Sequence, residues 1–179
     1  MQEYSDYTFL KSRLKTDRKM QAEVYNLCYS KVYASCLRIL NDAHYAEDFM
    51  HEAFIQAFKS IDSFKGNSQL STWICRIAIN KCLDHLKKRK VDIVYSDSWD
   101  QNIENDFSKP IENYDVEHIQ EAILQLPEGC RIVFNLHVLE GMDHEIIAGK
   151  LGIKAGSSRA QYARARTKIR QLINAKTNG

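Results

Sequence analysis

Trp73, Arg76 and Asn80 sit at i, i+3 and i+7, and Asp84 and Lys87 continue that interval into the run Lys87-Lys88-Arg89-Lys90. At about 100° per residue these side chains form one helical stripe. Ile74, Cys75, Ala78, Ile79, Cys82, Leu83 and Leu86 fill the opposite half. The stripe has the wrong chemistry for a core: an indole offers a stacking surface, a guanidinium a phosphate clamp, and a carboxamide a two-sided hydrogen-bonding edge. That set suits an unpaired strand or an opened duplex. Cations at a helix C-terminus also complement the macrodipole without any ligand, so this helix alone leaves both readings open.

A second stretch, "GMDHEIIAGKLGIKAGSSRAQYARARTKIRQLI" (141–173), narrows the choice. The apolar spacing predicts a short helix over about 143–151 with Ile146, Ile147 and Leu151 inward, a turn at Gly152-Ile153, and a long helix from about 156. Ala148 is small where two helices must cross closely, and Gly152 can take the left-handed backbone that ends the first helix. This is a helix-turn-helix. On the second helix Ser158, Tyr162, Ala165, Ile169, Leu172 and Ile173 face inward. Ser157, Ala160, Ala163, Arg164, Thr167, Lys168 and Arg170 face out, with Arg159 and Gln161 at the margins. Small exposed residues followed by arginines let a backbone approach a major groove while the guanidiniums reach base edges.

Enzyme chemistry finds no comparable support. His51-Glu52 and His144-Glu145 each begin a metalloprotease-like motif, but the second histidine it requires is replaced by Ile55 and Ala148. No phosphate-cradling or dinucleotide glycine loop is present, and "GKLG" (149–152) lacks the strands that an RNA-binding KH module needs. We expect no enzyme activity, no metal site and no cofactor. Cys28, Cys36, Cys75, Cys82 and Cys130 form no Cys-x-x-Cys pair, and their spacing suits reduced core positions.

The elements that must position these stripes are helical throughout. In the first part Val24, Tyr25, Tyr29, Val32, Tyr33, Cys36, Leu37 and Leu40 recur at three- and four-residue steps. "NDAHY" (41–45) interrupts, and Ala46, Phe49, Met50, Ala53, Phe54, Ala57 and Phe58 resume the pattern. The aromatic residues among them are expected in the core. Glu47, Asp48 and Glu52 cluster near the start of the second helix, where they either complement its dipole or offer a docking face to a basic partner.

Charge divides the 179 residues in three. Residues 1–90 hold 15 Lys+Arg against 10 Asp+Glu, 91–118 hold 1 against 8, and 119–179 hold 9 against 5. The acidic segment shows no sustained period and contains Pro110, so it reads as a linker. The expectation is an all-α chain of two small helical domains, 1–90 and 119–179, joined by the acidic linker 91–118, with the helix-turn-helix in the second. No apolar run approaches the roughly 20 residues of a membrane span, and the amino end lacks the apolar middle of a signal peptide. A cytoplasmic protein with no direct membrane insertion is expected.

Four stretches in order, "AEDFMHEAF" (46–54), "FKGNSQLSTWICRIAINKCLDHLKKRK" (64–90), "LPEGCRIVFNLHVLEGM" (126–142) and "HEIIAGKLGIKAGSSRAQYARAR" (144–166), resemble the extracytoplasmic-function (ECF) sigma factors. The resemblance covers roughly residues 20–90 and 119–174. It implies core RNA polymerase and promoter DNA as partners, with an anti-sigma factor expected on family grounds alone. Asp48, Phe49 and Glu52 resemble the family surface that grips the polymerase clamp. Phe64, Asn67, Ser68, Trp73, Arg76, Ile77, Asn80, Lys87 and Lys88 resemble the element that holds the −10 region and captures a flipped base. Ser157, Ser158, Arg159, Gln161, Arg164 and Lys168 correspond to readers of the −35 region. The chain departs from the family habit at His51, where glutamine is usual, and at Ile146 and Gly149, which replace common glutamates. The residues by themselves leave two other readings: a helix-turn-helix activator that binds duplex without polymerase, and a helical adaptor that binds only protein.

Overall fold

The computed structural model describes residues 11–88 and 116–177. Most of the acidic segment, up to residue 115, and the cations Arg89 and Lys90 lie outside the described residues. By contacts the chain divides into two compact units, Met1–Lys88 and Arg89–Gly179. Among the described residues there is no strand.

In the first unit a helical turn over residues 11–16 leads to Asp17, which starts α1 (Arg18–Leu40). The Asp17 carboxylate accepts the N–H groups of Lys19 at 2.9 Å and Met20 at 3.2 Å, satisfying two donors that the first turn leaves open. Arg13 donates to the same carboxylate and, with the Met20 N–H, holds its pKa below the usual carboxylate value. The interruption at "NDAHY" is a two-residue corner. Asn41 takes the left-handed conformation at φ 52° and donates its N–H to the Leu37 carbonyl at 2.7 Å. Asp42 then caps α2 (Ala43–Lys59), accepting the Tyr45 N–H at 3.1 Å. A 3₁₀ turn (Ile61–Ser63) and a loop with Gly66 at φ 75° lead into α3 (Leu70–Lys88).

The three helices pack on one another through Val32, Cys36 and Ile39 of α1, Ala46, Met50, Ala53, Phe54 and Ala57 of α2, and Ile74, Cys75, Ala78, Ile79, Cys82, Leu83 and Leu86 of α3. The apolar half that periodicity assigned to α3 is buried at every position. Each fully buried Ile or Val in this set contributes on the order of 1.5–3 kcal/mol of transfer free energy. Leu14, Ile61 and Phe64 form a second small cluster, joined by Met20, Val24, Phe58, Leu70 and Trp73. Tyr29, expected in the core, is 48% exposed, because it lies outside the arc of α1 that α2 and α3 cover.

The second unit comprises α4 (Val116–Leu124), α5 (Glu128–Phe134), a widened π-type turn (Asn135–Leu139), α6 (His144–Leu151) and α7 (Ala155–Thr177). The first of these begins inside the stretch read as linker. Ala122, Ile123, Leu126 and Cys130 pack against Ala165, Ile169 and Ile173 of α7. Gly152 stands at φ 70°, ψ 33° and ends α6, its N–H donating to the Ala148 carbonyl. Ile147 and Ala148 are buried as expected, but Ile146 is 52% exposed: one residue from Ile147 is about 100° around the helix, and that side faces solvent. Arg131 is buried and donates to the Leu126 carbonyl at 3.3 Å, and desolvation lowers its pKa against the pull of Glu128.

All five cysteines are free and buried. Cys36 and Cys82 face each other across α1 and α3, and the hydrogen bond between them, with burial, raises the Cys82 thiol far above its ordinary value. These are inert core thiols.

Candidate nucleic-acid interface

On α3 the sides divide as amphipathicity requires. Arg76, Asn80, Asp84, Lys87 and Lys88 are exposed along one stripe, and Ile77 is half-buried beside it. Trp73, at the N-terminal end, is half-buried with its ring 5.3 Å from that of Phe64. Phe64 itself is only 2% exposed and packs with Leu14 and Ile61, so it cannot offer its ring to a base. It is an anchor beneath the loop, which corrects its assignment as a DNA contact. Asn67 is exposed and Ser68 half-buried above that anchor.

Folding adds a cation that the sequence pattern did not mark. Lys31 reaches from α1 to the start of α3, its Nζ lying 3.5 Å from both Ser71 Oγ and Thr72 Oγ1. The 40 residues between them hide this neighbourhood from any periodicity argument.

The acidic face of α2 is exposed and already engaged in weak pairs. Glu52 binds Lys81 of α3 at 2.9 Å, Asp48 lies 3.7 Å from His44, and Glu47 lies 3.7 Å from His51. Phe49 is half-buried between Tyr45 and His85, at ring distances of 6.4 and 5.0 Å. Asp48, Phe49 and Glu52 therefore present two carboxylates around a braced aromatic ring.

In the second unit the structure separates the six residues assigned to the long helix of the helix-turn-helix. Arg159 is exposed, with Nη2 2.5 Å from Glu145 Oε1 of α6. Ser157, Arg164 and Lys168 are half-buried at the surface of α7. Ser158 and Gln161 are not available. Ser158 is fully buried with Oγ 2.9 Å from His144 Nδ1, and Gln161 is 5% exposed with Oε1 accepting the Cys130 S–H at 2.8 Å. Their removal from the set of base readers is a correction with a simple cause. The inward arc of α7 is wide enough to include Gln161, about 60° from Ser158, because α5 and α6 both pack against it.

At the mouth of the turn, His137 and His144 stack with ring centroids 4.3 Å apart and planes inclined by 21°. Tyr162 of α7 meets His137 edge-on at 4.7 Å, and Arg166 lies 5.8 Å over the Tyr162 ring. Burial, and after it the neighbouring His137, lowers the pKa of His144. Among the described residues no group of three or more His, Cys, Asp or Glu is placed to hold a metal ion, and no helix is long and apolar enough to cross a membrane.

Residues 24–91 match the Sigma-70 region 2 family and residues 117–169 match Sigma-70, region 4. That pair of regions, on an all-α chain, defines the sigma-70 class of transcription initiation factors. The chain is 31% identical over 178 residues to the ECF RNA polymerase sigma factor SigW of Bacillus subtilis, covering 92% of this chain and 94% of that protein. It is 29% identical over 134 residues to the ECF RNA polymerase sigma-E factor of Escherichia coli, covering 68% of this chain and 70% of that one. The chain belongs to the ECF sigma factor family. Its fold is also similar to that of the sigma factor RpoE from Bartonella quintana, solved with the anti-sigma factor NepR, at a TM-score of 0.52 and 22% identity over 86% of this chain and 96% of that one. Family membership assigns promoter recognition and transcription initiation with core RNA polymerase, and disfavours the stand-alone activator and the protein-only adaptor.

Proposed function

We propose that this sigma factor divides its work among three surfaces. The loop at 65–69 and the α3 stripe hold the unpaired −10 strand: Asn80 and the loop residues Asn67 and Ser68 catch an extruded base, while Arg76, Lys87 and Lys88 hold phosphates. Trp73 and Ile77 wall that site. Arg159, Arg164, Lys168 and Ser157 of α7 read or clamp the −35 element. Asp48, Phe49 and Glu52 dock on a basic surface of core polymerase. The protein performs no chemistry of its own and works in the cytoplasm. An anti-sigma partner is proposed by family likeness alone.

The observation that carries the reading is the α3 stripe, where Arg76, Asn80, Lys87 and Lys88 are solvent-facing on a helix whose other half is wholly buried. The C-terminal cations Lys87 and Lys88 also complement the helix dipole, but the dipole does not account for Arg76 and Asn80 further back on the same exposed face. A contact to an extruded base exists only after the duplex opens, so Asn80→Ala should spare closed-complex binding and impair opening. Permanganate footprinting on a paired promoter and on one already mismatched across −10 tests this. The variant should fail on the first and recover at least partly on the second, whereas normal opening on the paired promoter would remove Asn80 from the melting step.

A further inference from the structure

The helix-turn-helix carries a titratable contact that no DNA-reading role explains. His137 belongs to the widened turn Asn135–Leu139, His144 begins α6, and the two rings stack at 4.3 Å. His137 Nδ1 lies 2.8 Å from the Met142 carbonyl, so it donates there, and it does so whether neutral or charged. His144 Nδ1 lies 2.9 Å from Ser158 Oγ, and Ser158 is fully buried on α7. A buried hydroxyl hydrogen needs an acceptor, and in the tautomer that carries its proton on Nε2 neutral His144 provides one at Nδ1. Tyr162, one helical turn further along α7, closes the stack. The two histidines thus connect the turn and α6 to the recognition helix beside Arg159.

From this geometry we infer that the His137–His144 stack positions α7 for the −35 element and holds it only while His144 is uncharged, so that −35 binding weakens on acidification. This rests on the reading of α7 as the −35 helix. A proton on His144 turns Nδ1 into a donor, removes the acceptor of the Ser158 hydroxyl, and places a cation against His137 and close to Arg159. Asp143 and Glu145 of α6 pull the other way, but Glu145 is engaged by Arg159. From α7 the groups that face the stack are Arg159 and Tyr162, and Arg166 lies over the Tyr162 ring.

The sign follows from His144 holding its proton less readily in the fold than in the open chain. A histidine with a depressed pKa gives stability that is present above its unfolded value, and that is lost as pH falls through and below it. When the ordinary histidine value of about 6.5 belongs to the state in which the Ser158 contact is broken, one proton shifts the balance toward that state by at most about tenfold between pH 7.5 and 5.5.

Reconstituted holoenzyme tests this on two promoters, one with the −35 element intact and one with it scrambled, at pH 7.5 and 5.5. Effects of pH on polymerase itself cancel in the ratio of affinities. For the wild type that ratio should fall about two- to tenfold on acidification. For His144→Asn, whose amide can still bond Ser158 but cannot titrate, it should stay flat. A wild-type ratio that does not change, or an equal fall in both proteins, overturns the proposal. Should the variant fold poorly, NMR titration of the His144 ring in the wild-type chain decides instead: a pKa at or above the ordinary histidine value overturns the proposal, and one below it supports it. Loss of discrimination already at pH 7.5 in the wild type would overturn the −35 reading of α7 and this inference with it. Retained but pH-independent discrimination overturns only the proton linkage.

Discussion

Replacing Arg159 by alanine separates a structural ion pair from a base contact, because the two differ in size. Arg159 pairs with Glu145 at 2.5 Å, but the side chains are 57% and 65% exposed. A pair so open to solvent contributes about 0–1 kcal/mol to stability, so the variant should melt close to the wild-type temperature. If the same guanidinium turns to a guanine in the −35 element, a two-hydrogen-bond contact adds about 1–3 kcal/mol of discrimination, or roughly 5- to 150-fold. The gain outweighs the lost pair, so Arg159 can leave Glu145 when DNA arrives. Glu145→Ala should then raise affinity by up to about fivefold, since the competing carboxylate is gone. Selection of bound promoters from a pool randomised at −35, with holoenzyme carrying each variant, gives the preference directly, and thermal melting of the free proteins gives the stability. An unchanged base preference in Arg159→Ala, with affinity lowered evenly across sequences, would make Arg159 a phosphate clamp and refute the argument.

Other outcomes follow from the first unit. Reversing charge at Asp48 and Glu52 together should abolish co-purification with core polymerase while leaving the fold intact, because the Glu52–Lys81 pair is surface-exposed and contributes little; a double variant that still co-purifies would move the docking face elsewhere. Phe64→Ala should lower stability by about 3–5 kcal/mol, since its ring is buried against Leu14 and Ile61. Urea unfolding of the free chain measures this, and a loss below about 1 kcal/mol would contradict the anchoring role.

Periodicity located the helices and the buried half of α3, because a continuous apolar arc of seven residues leaves little choice of orientation. Asn41-Asp42 and Gly152 were legible as breaks for a similar reason: each is a residue type suited to a left-handed or capping backbone, and each is used that way. What the pattern could not supply was how far around a helix its neighbours reach. Tyr29 and Ile146 lie just beyond the covered arc and are exposed, while Gln161 lies just inside it and is buried. Phe64 reads as part of a polar loop until Leu14, 50 residues away in the chain, is seen beneath it. The pairing of Lys31 with Ser71 and Thr72 is of the same kind. Such contacts depend on where α1 lies against α3, and no local spacing encodes that.

As a sigma factor, this chain should read promoters only as a subunit of polymerase, with its two DNA surfaces acting together. Gel shifts of one promoter fragment with the purified protein alone, with core RNA polymerase alone, and with both test it most directly. A specific complex, sensitive to scrambling of either element, should form only when both are present. Tight, sequence-specific binding by the isolated protein would contradict it.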